Sequence, residues 1–286
     1  MNIIFLNGQF VDKESAQISV FDRGFLFGDA LYEVLPIING AAHAAELHLQ
    51  RLISGMESIH ISNPYSINQW KQILASLISR NDPEIDLVGH HIYLQISRGT
   101  EPTRMHRLPK GLKPTVVAFI QKSKKPSEKS INAGLTAITI SDPRRHDCSL
   151  KSTSLIANIL ALHAALEGNA IEAIFIDKDN YALEGTQSNL FTVIHQCVVT
   201  PPLSQRILGG VTRELIINSL LKNEIPVEER KISKQELLAA DEIWLTGSIK
   251  GIYPIVMLDG QTIGDGTPGS LWKKACFFLK EFEIKP

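Results

Sequence analysis

Leu183-Glu184-Gly185-Thr186-Gln187-Ser188-Asn189-Leu190-Phe191 sets one carboxylate between two very apolar runs. Upstream lies Glu172-Ala-Ile-Phe-Ile-Asp177 and downstream Leu190-Phe-Thr-Val-Ile194, both with the Ile, Val and Phe content of strands. Glu184 therefore belongs at or near the edge of a sheet core. A carboxylate there is expensive unless a cation or hydrogen-bond donors meet it. What Glu184 holds is the chemical question this stretch raises.

Outward from it, strands and helices mix. On the N-terminal side, Ile3–Leu6, Asn7-Gly8 and Gln9–Val11 read as a hairpin on a two-residue turn. A second Asn-Gly, at 39 and 40, follows the apolar run Tyr32–Ile38, where Pro36 argues for an edge strand or a bulge. Helical spacing recurs in Ala45, Leu49, Leu52, Ile53 and Met56, and in Trp70, Ile73, Leu74, Leu77 and Ile78. Strands are predicted over His91–Ser97 and Thr115–Ile120, joined by a proline-bearing loop from Arg98 to Pro114. Residues 121–130, Gln-Lys-Ser-Lys-Lys-Pro-Ser-Glu-Lys-Ser, lack apolar periodicity and read as a linker. Beyond it come a strand (135–140), a helix (about 153–166), strands (172–194), a helix (about 212–221), a strand (242–245), a hairpin about Asp259-Gly260 and a final helix (about 270–282). The expectation is an α+β protein of two domains, 1–120 and 131–286, separated by the 121–130 linker.

The totals narrow the function. With 29 basic against 30 acidic residues in 286, no bulk charge points to nucleic acid or an acidic membrane surface. No run approaches the apolar length of a membrane span, and the start lacks the pattern of a secretory signal. Three scattered cysteines, Cys148, Cys197 and Cys276, form neither a disulfide framework nor a CxxC site, and no HExxH occurs, so no metal is expected. A reduced, cytoplasmic setting is the expectation.

Several residues could carry chemistry, each with an ordinary alternative. Lys151 precedes the apolar helix of Leu155, Ile156, Ile159, Leu160 and Leu162. It is either a solvated lysine opposing the helix dipole or an amine that attacks a carbonyl carbon. Gly209-Gly210-Val211-Thr212-Arg213 offers free N–H groups at a helix start, or a plain turn capped by Thr212. Leu245-Thr-Gly-Ser-Ile-Lys-Gly251 is a strand running into a small polar turn. Neither matches a nucleotide-phosphate loop. Arg104-Met105-His106 is either a charged surface loop or a carboxylate trap, the arginine fork matching a carboxylate and the histidine adding a hydrogen bond.

Taken in order, these pieces resemble the fold-type IV, pyridoxal 5′-phosphate-dependent aminotransferases. Phe21-Asp-Arg-Gly-Phe-Leu-Phe-Gly-Asp-Ala-Leu-Tyr-Glu-Val34 is similar to the family's N-terminal block, and His48-Leu-Gln-Arg51-Leu to its phosphate-arginine helix. Lys151 falls at the Schiff-base lysine, Glu184–Phe191 at the cofactor-ring signature, and Gly210–Arg213 and Thr246-Gly247-Ser248 at the two phosphate turns. The resemblance implies that Lys151 is catalytic, that Glu184 faces the ring nitrogen, and that Leu208 packs on the ring. Arg51, Val211, Thr212, Gly247 and Ser248 would bind the phosphate. Within the family the chain is most similar to the branch acting on D-amino acids, in which Tyr32, Arg104 and His106 form the substrate-carboxylate trap. The reaction implied is D-alanine plus 2-oxoglutarate to pyruvate plus D-glutamate, in a homodimer whose subunits share active sites. Alternatives on the same cofactor are an L-branched-chain aminotransferase or an aminodeoxychorismate lyase; a cofactor-binding protein without turnover is a third. Ser149 stands where that branch usually has aspartate, and Thr103 lengthens the trap loop by one residue.

Overall fold

A computed structural model describes residues 2–81, 89–144 and 147–284, with side chains described up to residue 280. The chain divides into two compact units, Met1–Lys124 with Leu150–Ser154, and Lys125–Ser149 with Leu155–Pro286.

The first unit carries a six-stranded antiparallel sheet made of β1 (Ile3–Leu6), β2 (Gln9–Asp12), β3 (Ala30–Ile38), β4 (Ala41–Ala42), β5 (His90–Ser97) and β6 (Thr115–Lys122), in the order β2-β1-β6-β5-β3-β4. Both Asn-Gly turns form as expected, with Asn7 and Asn39 each at φ 50° and the following glycines also left-handed. Helices α1 (Arg23–Phe27), α2 (Ala45–Ser58) and α3 (Ile67–Asn81) accompany this sheet. Alternation along β3 sends Leu31, Glu33, Leu35 and Ile37 inward, where α2 and α3 supply Leu49, Leu52, Met56, Trp70, Leu74 and Leu77 to one core. Burying those apolar side chains stabilises the unit by roughly 1.5–3 kcal/mol each. Pro36 fits because β3 pairs with β5 on one side, from Ala30 to Pro36, while β4 takes up only Ile37 and Ile38 on the other. The edge this leaves on β3 is met by residues 150–154: Leu31 bridges Ser152, and the Tyr32 N–H donates to the Lys151 carbonyl at 2.9 Å.

In the second unit the strands are β7 (Leu135–Ser141), β8 (Glu172–Ile176), β9 (Tyr181–Gly185), β10 (Asn189–Ile194), β11 (Cys197–Thr200), β12 (Val227–Glu229), β13 (Ile232–Ser233), β14 (Glu242–Gly247), β15 (Gly251–Leu258) and β16 (Gln261–Thr262). Their order is β12-β11-β10-β14-β15-β7-β8-β9-β13, with β16 beside β15 and a further pairing of β9 with β10. That last pairing closes β10-β14-β15-β7-β8-β9 into a ring, and its single register pair is Asn189 with Glu184. The opening stretch is thus the closure of a small barrel. Around it lie α4 (Glu128–Ala133), α5 (Ile156–Glu167), α6 (Val211–Lys222), α7 (Lys234–Leu238) and α8 (Ser270–Ile284).

Three expectations shift. The 121–130 stretch is not irregular throughout: β6 runs on to Lys122, and α4 begins at Glu128 with Ser127 as its N-cap, accepting from the Ser130 N–H. Helix α5 starts at Ile156 rather than Thr153, because residues 150–154 are drawn to the β3 edge. Lys151 is therefore five residues short of that helix, and the dipole argument does not apply to it. Helix α6 starts at Val211, with Gly210 and not Thr212 as N-cap.

Candidate active site

In the first unit, the β3 edge assembles one group of polar side chains. Lys151 Nζ lies 4.4 Å from the centre of the Tyr32 ring. Tyr32 is stacked on Tyr93, and Tyr93 on Phe119, a row of aromatic rings on the outward face of β3, β5 and β6. Burial pushes the Tyr93 hydroxyl up to about 12, with the Tyr32 hydroxyl adding to it, so Tyr93 stays a neutral phenol. It donates to Gln95 Oε1 at 2.7 Å.

One residue along β3, Glu33 points to the opposite face and is fully buried. Two cationic or hydrogen-bonding partners, three residues apart on α2, reach it from one helix face. Arg51 places Nε at 2.7 Å from Oε1 and Nη2 at 2.7 Å from Oε2, and His48 Nδ1 lies 2.6 Å from Oε2. Burial by itself would raise the Glu33 pKa. The Arg51 charge and the His48 and Arg51 hydrogen bonds overcome it and bring the carboxyl down to about 2. Since Glu33 is then an acceptor only, His48 carries its proton on Nδ1. Burial, with the Arg51 and Lys151 charges, holds the His48 pKa below its ordinary value against the pull of Glu33. Arg51 thus arrives pre-oriented. Glu33 and His48 were not singled out from the sequence; the available signal was a carboxylate on the inward parity of an apolar strand.

Arg104 and His106 occupy the exposed loop between β5 and β6 and share one partner, the Phe27 ring. The Arg104 guanidinium carbon is 4.7 Å from its centroid, and the His106 ring packs edge-on at 5.4 Å.

In the second unit, Glu184 is only 6% exposed and is amply met. Its Oε1 accepts from Arg144 Nη1, and its Oε2 accepts from the Leu208 N–H at 3.0 Å and Asn189 Nδ2 at 3.3 Å. Arg144 was not anticipated. It also donates to Asp142 and to the Arg206 carbonyl, and its guanidinium carbon lies 4.1 Å from the centre of the Phe175 ring. Asn189 Nδ2 reaches on to the Leu208 carbonyl at 2.7 Å, fixing the approach to Gly209-Gly210. A Cβ at Gly210 would come within 2.0 Å of Asn189 Oδ1, so a side chain there would displace this contact. Gly210, the N-cap of α6, has no side chain with which to cap it. Thr246, Gly247 and Ser248 stand where β14 leaves the barrel, and the buried Thr246 Oγ1 has no hydrogen-bond partner among the described residues. Below the loop, buried Glu172 accepts from the Thr186 hydroxyl and N–H, from the Ser188 hydroxyl and from Lys250 Nζ. Ser149, the departure near Lys151, donates to Asp147 at the surface.

Each unit thus carries a worked group of charges: lysine, tyrosine and a braced arginine in the first, a carboxylate and two small turns in the second. The pattern described by the class IV amino-transferase family matches residues 30–258. A D-alanine aminotransferase of Bacillus licheniformis is 35% identical over 273 residues, spanning 96% of this chain and 94% of that protein. One from Listeria monocytogenes is 32% identical over 94% of this chain and 91% of its own length. Among solved structures, a branched-chain amino acid aminotransferase of Escherichia coli superposes with a TM-score of 0.90 at 24% identity, covering 98% of this chain and 94% of that one. A fold IV transaminase from Curtobacterium pusillum gives 0.81 at 26% identity, covering 96% and 90%. At 24% identity the likeness to the branched-chain enzyme is one of fold, and the full-length matches in sequence carry the assignment: the chain belongs to the class IV aminotransferases.

Proposed function

We propose that the protein is a pyridoxal 5′-phosphate-dependent transaminase of D-amino acids, converting D-alanine and 2-oxoglutarate to pyruvate and D-glutamate. The observation that carries the reading is the Lys151–Tyr32 contact on the β3 edge in a chain that matches D-alanine aminotransferases over nearly its full length. Within each unit the donor chemistry suits this cofactor. Arg51, held by Glu33, offers charge to a phosphate. The start of α6, Val211 and Thr212 behind a glycine N-cap, offers N–H groups and the positive end of a dipole. The buried Thr246 hydroxyl beside Gly247-Ser248, without a hydrogen-bond partner among the described residues, offers a further donor. Glu184 supplies a carboxylate for a protonated ring nitrogen, and Leu208 an apolar side chain for the ring face.

Bound pyridoxal phosphate supplies an electron-withdrawing ring that stabilises the negative charge developing at the substrate Cα. Lys151 would hold the cofactor covalently through Nζ, and its amine, when free, would be the base that accepts the proton from the substrate Cα. Arg144, Asn189 and the Leu208 N–H keep the Glu184 carboxylate from swinging away. Tyr32, Arg104 and His106 bind the substrate carboxylate and so decide which Cα hydrogen faces Lys151. In the homodimer this reading implies, the arginine and histidine reach the neighbouring subunit's site. The test is a transamination assay of the holoenzyme with 2-oxoglutarate and either D-alanine or L-leucine, alongside the visible absorbance of bound cofactor. D-alanine should be the better donor. Preference for L-leucine would move the branched-chain reading ahead.

A further inference from the structure

The trap loop is exposed, yet one buried cation holds it. Arg23, on α1, is 4% exposed, and its Nη1 donates to the carbonyl of Met105, the residue between Arg104 and His106, at 2.7 Å. The same guanidinium donates from Nε to Asp29 at 2.8 Å and from Nη1 to Glu101 at 3.2 Å. Asp29 is in turn gripped by Arg98, at 2.7 and 2.9 Å, and Arg98 donates to the Ile59 and His60 carbonyls just past α2. Glu101 also takes Arg107 at 2.5 Å. Charges therefore alternate from the end of α2 to the loop: Arg98, Asp29, Arg23, Glu101, Arg107. A guanidinium is planar and its donors are fixed relative to one another, so two anchored acceptors determine where the third must sit. Beside it, the Phe27 ring has Arg23 at 4.8 Å, Arg104 at 4.7 Å and the His106 ring at 5.4 Å.

We propose that Arg23, with Phe27, is the positioning element of the Arg104–His106 pair and so sets affinity for the substrate carboxylate. This rests on the trap reading above. Arg23 touches neither substrate nor cofactor in this account; it fixes the peptide from which both trap side chains spring. Lysine in its place keeps the charge but, as a point donor, cannot span Asp29, Glu101 and the Met105 carbonyl together.

The experiment compares holoenzymes carrying Arg23→Lys, Phe27→Leu, Arg104→Ala and Arg23→Lys/Arg104→Ala. KM and kcat are measured for D-alanine, with the dissociation constant of acetate, a non-reacting carboxylate, read from cofactor absorbance. Arg23→Lys should raise both KM and the acetate constant about tenfold while kcat stays within about threefold, as misplacing a binding group does. Phe27→Leu should act in the same direction, about threefold, and decides the matter should Arg23→Lys fail to fold. The double variant should be worse than Arg104→Ala alone by clearly less than the Arg23→Lys effect on wild type, because only His106 is left for Arg23 to position. If Arg104→Ala raises KM but a folded Arg23→Lys or Phe27→Leu leaves KM and acetate binding at wild-type values, the positioning role is wrong and the trap stands. Fully additive effects in the double variant overturn it likewise. If Arg104→Ala leaves D-alanine use unchanged, the trap reading falls and this inference with it.

Discussion

Glu184 is a buried carboxylate whose oxygens accept from Arg144, Asn189 and the Leu208 N–H. A carboxylate between two apolar strand runs has to be met, and the sequence says so; the partners it meets come from 40 residues upstream, 5 downstream and 24 downstream, Arg144, Asn189 and Leu208, and no local spacing announces them. The same holds for Glu33, whose partners on α2 are read only once β3 and α2 are known to pack. Glu184→Gln should leave cofactor bound, while its NH2 group, which cannot accept, faces one set of the donors that the carboxylate now satisfies and lowers the melting temperature somewhat. A neutral amide cannot stabilise a protonated ring nitrogen, so the rate should fall about a hundredfold or more, roughly 3–4 kcal/mol of barrier. Turnover measured at saturating D-alanine checks this; an unchanged rate would return Glu184 to a structural role. Lys151→Ala should abolish turnover and the covalent cofactor absorbance while the protein melts as wild type, since only the side chain is removed and the Lys151 carbonyl still accepts from Tyr32. Normal activity in that variant ends the present account of Lys151.

At the level of elements, turns and amphipathic helices were readable because their signals are local: Asn-Gly at both tight hairpins, and apolar residues three and four apart in α2 and α3. The start of α5 was not, because residues 150–154 pair with the edge of β3, a tertiary contact that outweighs the apolar periodicity continuing into them. The 121–130 stretch is structured at both ends for related reasons, a strand extended by its ladder with β5 and a short helix begun by a serine cap. The pairing of β3 with α2 also carries a pH dependence. Glu33 sits at about 2 in the folded chain against an ordinary 4.5, so its contribution is complete above pH 4.5 and is lost as the pH falls toward 2. That depression is worth roughly 3 kcal/mol. His48 acts with the same sign: its folded pKa lies below 6.5, so protonation favours the unfolded chain as the pH drops beneath that value. Glu33→Gln should lower the melting temperature at neutral pH by roughly 6–10 °C and flatten its decline between about pH 4.5 and 2. Thermal melts across that range test it, and a variant that melts like wild type with the same acid slope would show the cluster to be unimportant for stability.

For the whole molecule, the decisive question is whether one chain makes a site by itself. Helix α5 leaves Ile156, Ile159 and Leu160 at 69, 59 and 60% exposure, an apolar stretch of the kind that marks an interaction surface. Arg104 and His106 are likewise exposed, as residues serving a neighbouring subunit would be before it docks. Subunit mixing separates the possibilities. Lys151→Ala and Arg104→Ala proteins, each nearly inactive with D-alanine, are combined and allowed to exchange chains. If a site takes its lysine from one protomer and its arginine from the other, each mixed dimer holds one doubly defective site and one intact site. Random exchange makes half the dimers mixed, so about a quarter of all sites recover wild-type activity. If lysine and arginine of a site come from the same chain, every site keeps one defect and nothing is regained. Native mass spectrometry on the same mixture, with one variant isotopically labelled, gives the mass and the share of mixed dimers, so that a monomer or a non-exchanging dimer is told apart from a dimer with self-contained sites. Recovery near a quarter fixes Arg104 as a residue acting in trans; no recovery in an exchanging dimer removes it from the neighbouring site and, with it, the shared-site reading.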